Sequence, residues 1–366
     1  MRALWTIAAA LLWSAIAGAA GIEDNLPRIS TVPAQPGPGN PFTVLVRGQW
    51  PDGCPVQVDN VVRNGLDITI RVRRNTGQVC PAVVLPFEVV ANPFLNGGSP
   101  AAGVYRVRFE VIGMDGGSGR LLAFELVPVG DAANPGARPE SGYWAAEKGG
   151  DFDTSGDGIG FDFELQNRLL FIAANVYRED GKSGWYIASG PVTAGAMKGE
   201  LLEARGGQPL FASHRAPSEI GPVGRLQAEF TSASTAVFWF SQPSGSGLLD
   251  PLKLMPISVN RFNYAYGARD AILAGEWMIA VEDRPARLVK FNRHRYGATN
   301  LIGVMDAGFR HELRCAIVQD KPETLPQRCE YFDNGVLIAT LEDVGLQSLR
   351  GRAVVGNAAV VFSRVD

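Results

Sequence analysis

Residues 159–177, IGFDFELQNRLLFIAANVY, contain two segments in which apolar and polar side chains alternate. Alternation with a period of two is typical of half-buried β-strands. The two segments are 159–165 and 168–177, and the polar pair Gln166-Asn167 between them favours a turn. We therefore expect a β-hairpin at this point of the chain.

The same alternation recurs on both sides of this hairpin. Before residue 130 it appears in FTVLVRG, DITIRVRR, YRVRFEVIG and LLAFELVPVG. The 43 glycines and 24 prolines interrupt the chain at short intervals, and long runs with helical periodicity are nearly absent after residue 20. The sequence therefore predicts an all-β protein built from several antiparallel sheets.

The predicted organisation is an N-terminal immunoglobulin-like sandwich followed by one or two antiparallel β-barrel or sandwich domains. Two similar starts, Gly142-Tyr143-Trp144 and Gly275-Glu276-Trp277, precede alternating segments and indicate either a diverged repeat or two halves of one barrel. The final region is thus its own domain or the second half of the preceding one. The expected boundaries are 1–20 for a signal peptide, 21–130 for the sandwich, 131–142 for a linker, 143–270 for a β-domain and 271–366 for a second β-region.

The first twenty residues, MRALWTIAAALLWSAIAGAA, predict export. Arg2 precedes an apolar run that ends in small residues, which is the pattern of a cleaved signal peptide. No later apolar stretch reaches the ~18 residues of a membrane span. We expect a mature chain without a transmembrane segment, located in the periplasm or outside the cell. The near balance of 34 basic and 37 acidic residues gives no electrostatic support for nucleic acid as a partner.

Four cysteines fall into two local groups, and export favours their oxidation. Four cysteines allow three pairings, of which pairing within each group is the most economical. A four-cysteine zinc site is the alternative, but the sequence has no C-x-x-C spacing to support it. The predicted disulfides are Cys54–Cys80 and Cys315–Cys329.

An acidic stretch, GGDFDTSGDGIGFDFE at 149–164, resembles a calcium loop because oxygen-bearing side chains alternate around Gly156. An EF-hand is excluded because Gly149-Gly150 precedes the loop and a strand follows it. A calcium loop between strands and a simple polar turn both stay open, and the turn is the simpler interpretation. Calcium is the one cofactor that the sequence suggests, with Asp151, Asp153, Ser155 and Asp157 as ligands.

Motifs for catalysis are missing from the sequence. It contains no G-x-S-x-G, no H-E-x-x-H and no phosphate-binding G-x-x-x-x-G-K-[ST]. His214 follows Ser213 in a polar loop, while His294 and His311 lie among alternating charges and are expected on solvated strand faces. We predict no catalytic residue, although a hydrolase with an acidic or Ser/His site dispersed over loops stays open.

Aromatic residues cluster on predicted strands and are the candidates for ligand binding. Rings two residues apart share one face of a strand, so the stripe from Phe262 to Tyr266 would present three rings together. Such a stripe can stack on sugars or contact a protein, or else form core. Core is the simpler interpretation for this stripe and for the stripe of Phe238 and Phe240 alike. The predicted ligand-binding residues are Trp185, Tyr186, Phe262, Tyr264 and Tyr266.

Residues from about 142 to 210 resemble a domain of secreted proteins from Gram-negative bacteria. The marks are SGYW, then the hairpin NVYREDGKSGWYIASGP, then KGELLEARGG. The resemblance covers less than a quarter of the chain, and the longer DFDTSGDGI insertion departs from it. Because similar domains occur beside secreted peptidases, the resemblance implies an accessory role.

From the residues and the resemblance together, we expect an exported, non-catalytic binding or accessory protein of the cell envelope or secretome. Its ligand is a protein or a cell-envelope polysaccharide. The alternatives are a secreted hydrolase of glycans or peptides and a purely structural envelope protein.

Overall fold

A computed structural model describes residues 26–74, 79–112, 119–132, 135–147, 152, 158–178, 180–266, 272–296, 301–316 and 325–365. The regular structure of the described residues is nearly all β, as predicted, with 61% of them in strands and 1% in helix. Within these ranges, no helix is long and apolar enough to cross a membrane. The predicted signal peptide and the four acidic-loop residues of the predicted calcium site lie outside the described residues.

The N-terminal region consists of two sheets with seven strands among its described residues. One sheet has the order β1-β2-β5 and the other β3-β4-β6-β7, in which only β4 and β6 run parallel. The strands are β1 (Arg28–Val32), β2 (Thr43–Trp50), β3 (Val56–Asn64), β4 (Asp67–Arg74), β5 (Leu85–Ala91), β6 (Gly103–Ile112) and β7 (Arg120–Val129).

A single hydrophobic core joins the two sheets. Val44 and Val46 of β2 are fully buried with Ile68 and Ile70 of β4, and Phe109 of β6 completes this layer. These residues occupy every second position of their strands, which is why the alternation in the sequence predicts them correctly. The disulfide Cys54–Cys80 ties the segment after β2 to the segment before β5.

The second region is a closed barrel of eight antiparallel strands, here called barrel 1. The predicted hairpin is confirmed as β9 and β10, and the turn lies at Asn167-Arg168, one residue later than expected, with Asn167 at a φ of 58°. The strands are β8 (Gly142–Ala146), β9 (Gly160–Gln166), β10 (Leu169–Tyr177), β11 (Ser183–Pro191), β12 (Ala196–Arg205), β13 (Glu219–Phe230), β14 (Thr235–Pro243) and β15 (Leu252–Arg261).

The third region closes on itself as barrel 2, so the interpretation as two halves of one barrel is wrong. The buried disulfide Cys315–Cys329 joins two directly paired residues of β19 and β20. The strands are β16 (Gly275–Val281), β17 (Arg287–Tyr296), β18 (Leu301–Asp306), β19 (His311–Ala316), β20 (Arg328–Asp333), β21 (Val336–Val344), β22 (Ser348–Ala353) and β23 (Ala359–Arg364).

Both barrels begin with the same local structure. Gly142 and Gly275 have φ angles of 121° and 123°, a backbone conformation that side chains disfavour. Two residues later, Trp144 and Trp277 are fully buried. Each indole Nε1 donates to the carbonyl four residues upstream, at 3.0 Å for Trp144 and 3.1 Å for Trp277. The shared geometry supports the interpretation of GYW and GEW as a diverged repeat.

The barrels also close in the same way. Arg261 on β15 pairs with Trp144, and Arg364 on β23 pairs with Trp277. Both arginines donate to backbone carbonyls at the start of their own barrel, Arg261 to Tyr143 and Arg364 to Ala274. Each barrel is therefore fastened where its first and last strands meet.

Polar contacts fix the three regions to one another. Gln227 of barrel 1 is fully buried, and its amide both accepts from Leu126 N and donates to Phe124 O on β7 of the sandwich. On the other side, the Glu140 carboxylate accepts hydrogen bonds from the turn between β21 and β22 of barrel 2. Glu140 lies within the predicted linker 131–142, at a buried position.

Candidate functional site

A cleft of about 400 Å³ opens on barrel 1 beside the first four strands. We call it the barrel 1 groove. Its lining consists of aromatic, aliphatic, small and uncharged polar residues, and none of the described lining residues is charged. They are Tyr143, Ala145, Ala146, Gly158, Ile159, Gly160, Asn175, Val176, Tyr177, Ser183, Gly184 and Phe262.

Small residues form the floor of the groove. Ala145 on β8, Gly160 on β9 and Asn175 on β10 are paired in sequence across the sheet, and Ala173 lies two residues from Asn175. Residues aligned in this way share one face of a sheet. A Cβ at residue 160 would overlap the Tyr143 hydroxyl, so only glycine lets that ring lie across the strand.

Exposed rings flank this floor on both sides. Tyr143 and Phe262 pack edge to face with their centroids 5.8 Å apart, and Tyr264 stacks on Phe262 at 6.4 Å. On the opposite side, Trp185 pairs with Asn175 across β10 and β11, and Tyr177 pairs with Ser183. The exposed fractions are 39% for Tyr143, 45% for Phe262, 49% for Trp185, 70% for Tyr177 and 76% for Tyr264.

One polar pair lies among the rings. The Asn175 amide donates from Nδ2 to Asp162 Oδ2 at 3.1 Å, and both side chains are exposed. A carboxylate accepts several hydrogen bonds and a primary amide both donates and accepts. The pair can therefore engage the hydroxyl or amide groups of a ligand that rests on the rings.

Barrel 2 holds different residues at the equivalent positions. Phe262 N donates to Tyr143 O, and Val365 N donates to Glu276 O in the equivalent place. Glu276 forms an ion pair with Lys290 at 2.8 Å rather than a ring contact. The backbone requires no aromatic residue at either position, because barrel 2 closes with Glu276 and Val365.

The floor differs between the barrels as well. Aligned by strand pairing from the two tryptophans, Ala145 corresponds to Met278 and Gly160 to Leu288. Met278 and Leu288 are exposed side chains on barrel 2. Large side chains thus extend from these positions in barrel 2, whereas in barrel 1 the Tyr143 ring lies across Gly160.

The predicted ligand-binding residues fall into two groups. Phe262 lines the groove, while Trp185 and Tyr264 are exposed beside it. Trp185 is paired with the lining residue Asn175, and Tyr264 stacks on Phe262. Tyr186 packs against the barrel 1 core, and Tyr266 lies under Arg364, with 4.3 Å from the guanidinium carbon to the ring centroid. The predicted stripe fails because β15 ends at Arg261, so the period of two does not extend from Phe262 to Tyr266.

Sequence reasoning missed several residues of the groove. The sequence marks Tyr143 and Tyr177 only as part of the family resemblance. It places Gly160 and Asn175 only in a hairpin. A signal was present, since the middle residue of the two Gly-x-Trp motifs changes from tyrosine to glutamate. The aromatic stretch 238–240 is core, as the simpler interpretation predicted, with Phe238 and Trp239 buried.

Both predicted disulfides are present, and the zinc alternative is wrong. Among the described residues, one acidic and cysteine cluster has a metal-like spacing, namely Asp52 with Cys54 and Cys80. Its two sulfur atoms are bonded to each other and Asp52 Oδ1 accepts from Cys54 N. A disulfide supplies no thiolate, so this cluster is not a thiolate site.

The histidines are dispersed. His214 and His294 are exposed, whereas the prediction of a solvated face is wrong for His311, whose side chain is 13% exposed. His311 Nδ1 lies 2.8 Å from the Tyr331 hydroxyl. Burial raises the pKa of Tyr331 to about 12, so the phenol stays protonated at neutral pH.

Asp333 lies beside this pair at the rim of barrel 2. A hydrogen bond from Arg310 lowers the pKa of Asp333, and Arg287 approaches its other oxygen at 3.4 Å. The carboxylate is thereby held between two guanidinium groups, which ties the turns at this end of the barrel together.

A buried ion cluster occupies the corresponding region of barrel 1. Glu203, only 4% exposed, forms an ion pair with Arg178 at 2.8 Å and accepts a hydrogen bond from Arg205 at 2.6 Å.

A scan against protein-family models gives no match to this chain, and a search of curated proteins gives none either. The resemblance of residues from about 142 to 210 to secreted bacterial domains therefore stays an interpretation of its motifs.

Proposed function

We propose that this chain is an exported, non-catalytic binding or accessory protein of the bacterial cell envelope or secretome, and that the barrel 1 groove holds its ligand. The observation that carries this proposal is the contrast between the two barrels. Equivalent backbone positions hold Tyr143, Phe262 and Gly160 in barrel 1 but Glu276, Val365 and Leu288 in barrel 2. Exposed rings that the fold does not require are typical of a binding site.

The composition of the groove supports binding through stacking and hydrogen bonds. Its rings supply rigid, amphipathic surface that loses little conformational entropy when a ligand binds. Asn175 and Asp162 supply the few polar groups that orient a ligand in an otherwise apolar pocket. The two disulfides are consistent with an oxidising compartment, which agrees with the proposed export.

The N-terminal region has an architectural role in this proposal. We infer that its two sheets form an immunoglobulin-like sandwich that positions barrel 1 through Gln227. Calcium bound by the acidic residues 151–157 remains a separate hypothesis, tested by a calcium-dependent rise in melting temperature that Asp153→Ala abolishes.

The test is an array that carries both peptides and glycans of bacterial envelopes. The wild-type chain is expected to retain a probe, and mass spectrometry of the recovered probe is expected to show no change. Tyr177→Ala removes an exposed ring and should reduce retention, whereas Leu288→Ala on barrel 2 should not. A shortened probe would establish the hydrolase alternative, and retention that ignores Tyr177→Ala would overturn the assignment of the site.

A further inference from the structure

The floor of the groove offers no free backbone edge. β8 pairs with β15 and β9, β9 with β8 and β10, and β10 with β9 and β11. An extended peptide commonly binds by adding a strand to an open sheet edge, where its backbone groups find partners. A peptide lying across this floor would leave those groups without backbone partners from the strands beneath.

The rings and the polar pair instead match a ligand with apolar faces and hydroxyl edges. The rings lie on two sides of the floor. Phe262 and Tyr143 are on one side, and Trp185 and Tyr177 are on the other. A pyranose ring presents C–H groups on its faces, which pack on aromatic rings, and hydroxyl groups on its rim. The Asn175–Asp162 pair lies where such a rim would need a donor and an acceptor.

The charged side chains near the groove narrow the class of ligand further. The described lining of the groove holds no ionised side chain. The nearest guanidinium on the Tyr143 side, Arg261, donates to the carbonyls of Tyr143 at 2.8 Å and Phe262 at 3.1 Å. Sites that select carboxylate or phosphate ligands usually present a guanidinium fork toward them. On the other side, Arg178 lies against Gly184 but is engaged in an ion pair with Glu203. The exposed charged group beside the floor is the Asp162 carboxylate, which repels anions, so the described groove disfavours an anionic ligand.

We infer that the ligand of the barrel 1 groove is a neutral polysaccharide, held by stacking of its pyranose units on Tyr143, Tyr177 and Trp185. This inference rests on the proposed function, because it takes the groove to be the binding site. The chain of sugars crosses strands β8 to β11, so two or more units are in contact with rings at once.

Calorimetric titration of the mature chain tests the inference with three sets of probes. They are neutral pyranose oligomers of varied monomer and linkage, uronic acid oligomers of matched length, and random peptides of matched length. Neutral oligomers should bind with an affinity that rises with chain length and stays constant as salt increases, since no ion pair is formed.

Variants connect this binding to the named rings. Trp185→Ala and Tyr177→Ala should each weaken binding about tenfold, as expected for loss of one stacked ring. Both side chains are exposed, so neither substitution should affect folding, and circular dichroism checks this. Leu288→Ala is the matched control on barrel 2. The wild type should also show a change in tryptophan fluorescence on binding that Trp185→Phe lacks.

The outcomes separate the two proposals. Binding of peptides or uronic acid oligomers that depends on Tyr177, without binding of neutral oligomers, would overturn the ligand class and leave the groove as the binding site. Binding of no probe, or binding that all variants retain, would overturn both. Binding of neutral oligomers that is weakened in the Trp185→Ala and Tyr177→Ala variants would support both proposals.

Discussion

The phenol of Tyr143 lies across the backbone of Gly160 on the neighbouring strand, in the space that any other residue at 160 would fill with a side chain. This contact creates one wall of the groove. Gly160 does not have a positive φ, so its backbone conformation is open to other residues. Steric overlap with Tyr143, rather than backbone strain, is what keeps a side chain out.

Gly160→Ala is therefore expected to displace the Tyr143 ring. The overlap should cost about 1 to 3 kcal/mol, as overpacking does, partly offset by about 0.4 to 1 kcal/mol from the lower entropy of the unfolded chain. The melting temperature should fall slightly, and the near-ultraviolet circular dichroism of tyrosine should change. Tyr143→Ala combined with Gly160→Ala should restore the melting temperature; a double variant as unstable as Gly160→Ala would contradict the steric account.

Gln227 connects the sandwich to barrel 1 through two backbone groups of β7. Gln227→Ala leaves Leu126 N and Phe124 O buried without this partner, which should cost about 1 to 3 kcal/mol for each group. We expect a lower melting temperature and faster amide hydrogen exchange at Leu126. Gln242→Ala, on an exposed position of β14, is the control; unchanged exchange at Leu126 in Gln227→Ala would rule out the proposed role.

The two disulfides differ in how far they are exposed to solvent. Both sulfur-bearing residues of Cys315–Cys329 are fully buried within barrel 2, while Cys80 is partly exposed. Mild reductant should therefore open Cys54–Cys80 first, as measured by thiol labelling and mass spectrometry of the folded protein. Removal of Cys315–Cys329 by double alanine substitution should cost about 3 kcal/mol, since the bond closes a loop with a sequence separation of 14. Equal labelling rates would contradict this order.

Alternation in the sequence predicted the strands well, because half-buried strands impose it locally. The hairpin of β9 and β10 and the core positions of β2 and β4 all follow from it. Alternation could not predict barrel closure, because β16 and β23, which pair with each other, are the first and last strands of barrel 2. No local pattern specifies such a contact.

The groove was predictable only in part for the same reason. Trp185 and Tyr186 are adjacent, so a strand must place them on opposite faces, and the structure exposes Trp185. Which of the two faces is outside depends on register with β10. The contact of Tyr143 with Gly160 joins two strands, and it appears only once both are paired.

Glu140 makes a contact with barrel 2 from a segment whose sequence has no apolar periodicity. Its carboxylate accepts from the backbone N–H groups of Leu346, Gln347 and Ser348, the first of them 206 residues away. The Ser348 hydroxyl donates to the same oxygen as Ser348 N. A composition rich in glycine, alanine and proline predicted a linker, and only tertiary structure shows that one acidic side chain in it joins the barrels.

This junction should make stability depend on pH. Burial raises the pKa of Glu140 above its ordinary value of 4.5, against the opposing effect of its hydrogen bonds, and burial also raises the pKa of Asp343 nearby on β21. A raised pKa means that the folded state retains protons that the unfolded state releases. The contribution of Glu140 to stability is then full below pH 4.5 and declines as pH rises through the folded pKa.

Glu140→Gln removes this titration while its Oε1 can still accept from Gln347 and Ser348. Thermal unfolding between mildly acidic and neutral pH should show the wild type losing stability relative to Glu140→Gln as pH rises. The charged groups that face this contact, Asp343, Arg350 and the exposed Arg138, are unchanged in both proteins. Glu164→Gln on β9 controls for the loss of one exposed negative charge. A wild type that instead gains stability relative to Glu140→Gln with rising pH would show that the four hydrogen bonds outweigh burial, and that the carboxylate is the form that fastens barrel 2 to barrel 1.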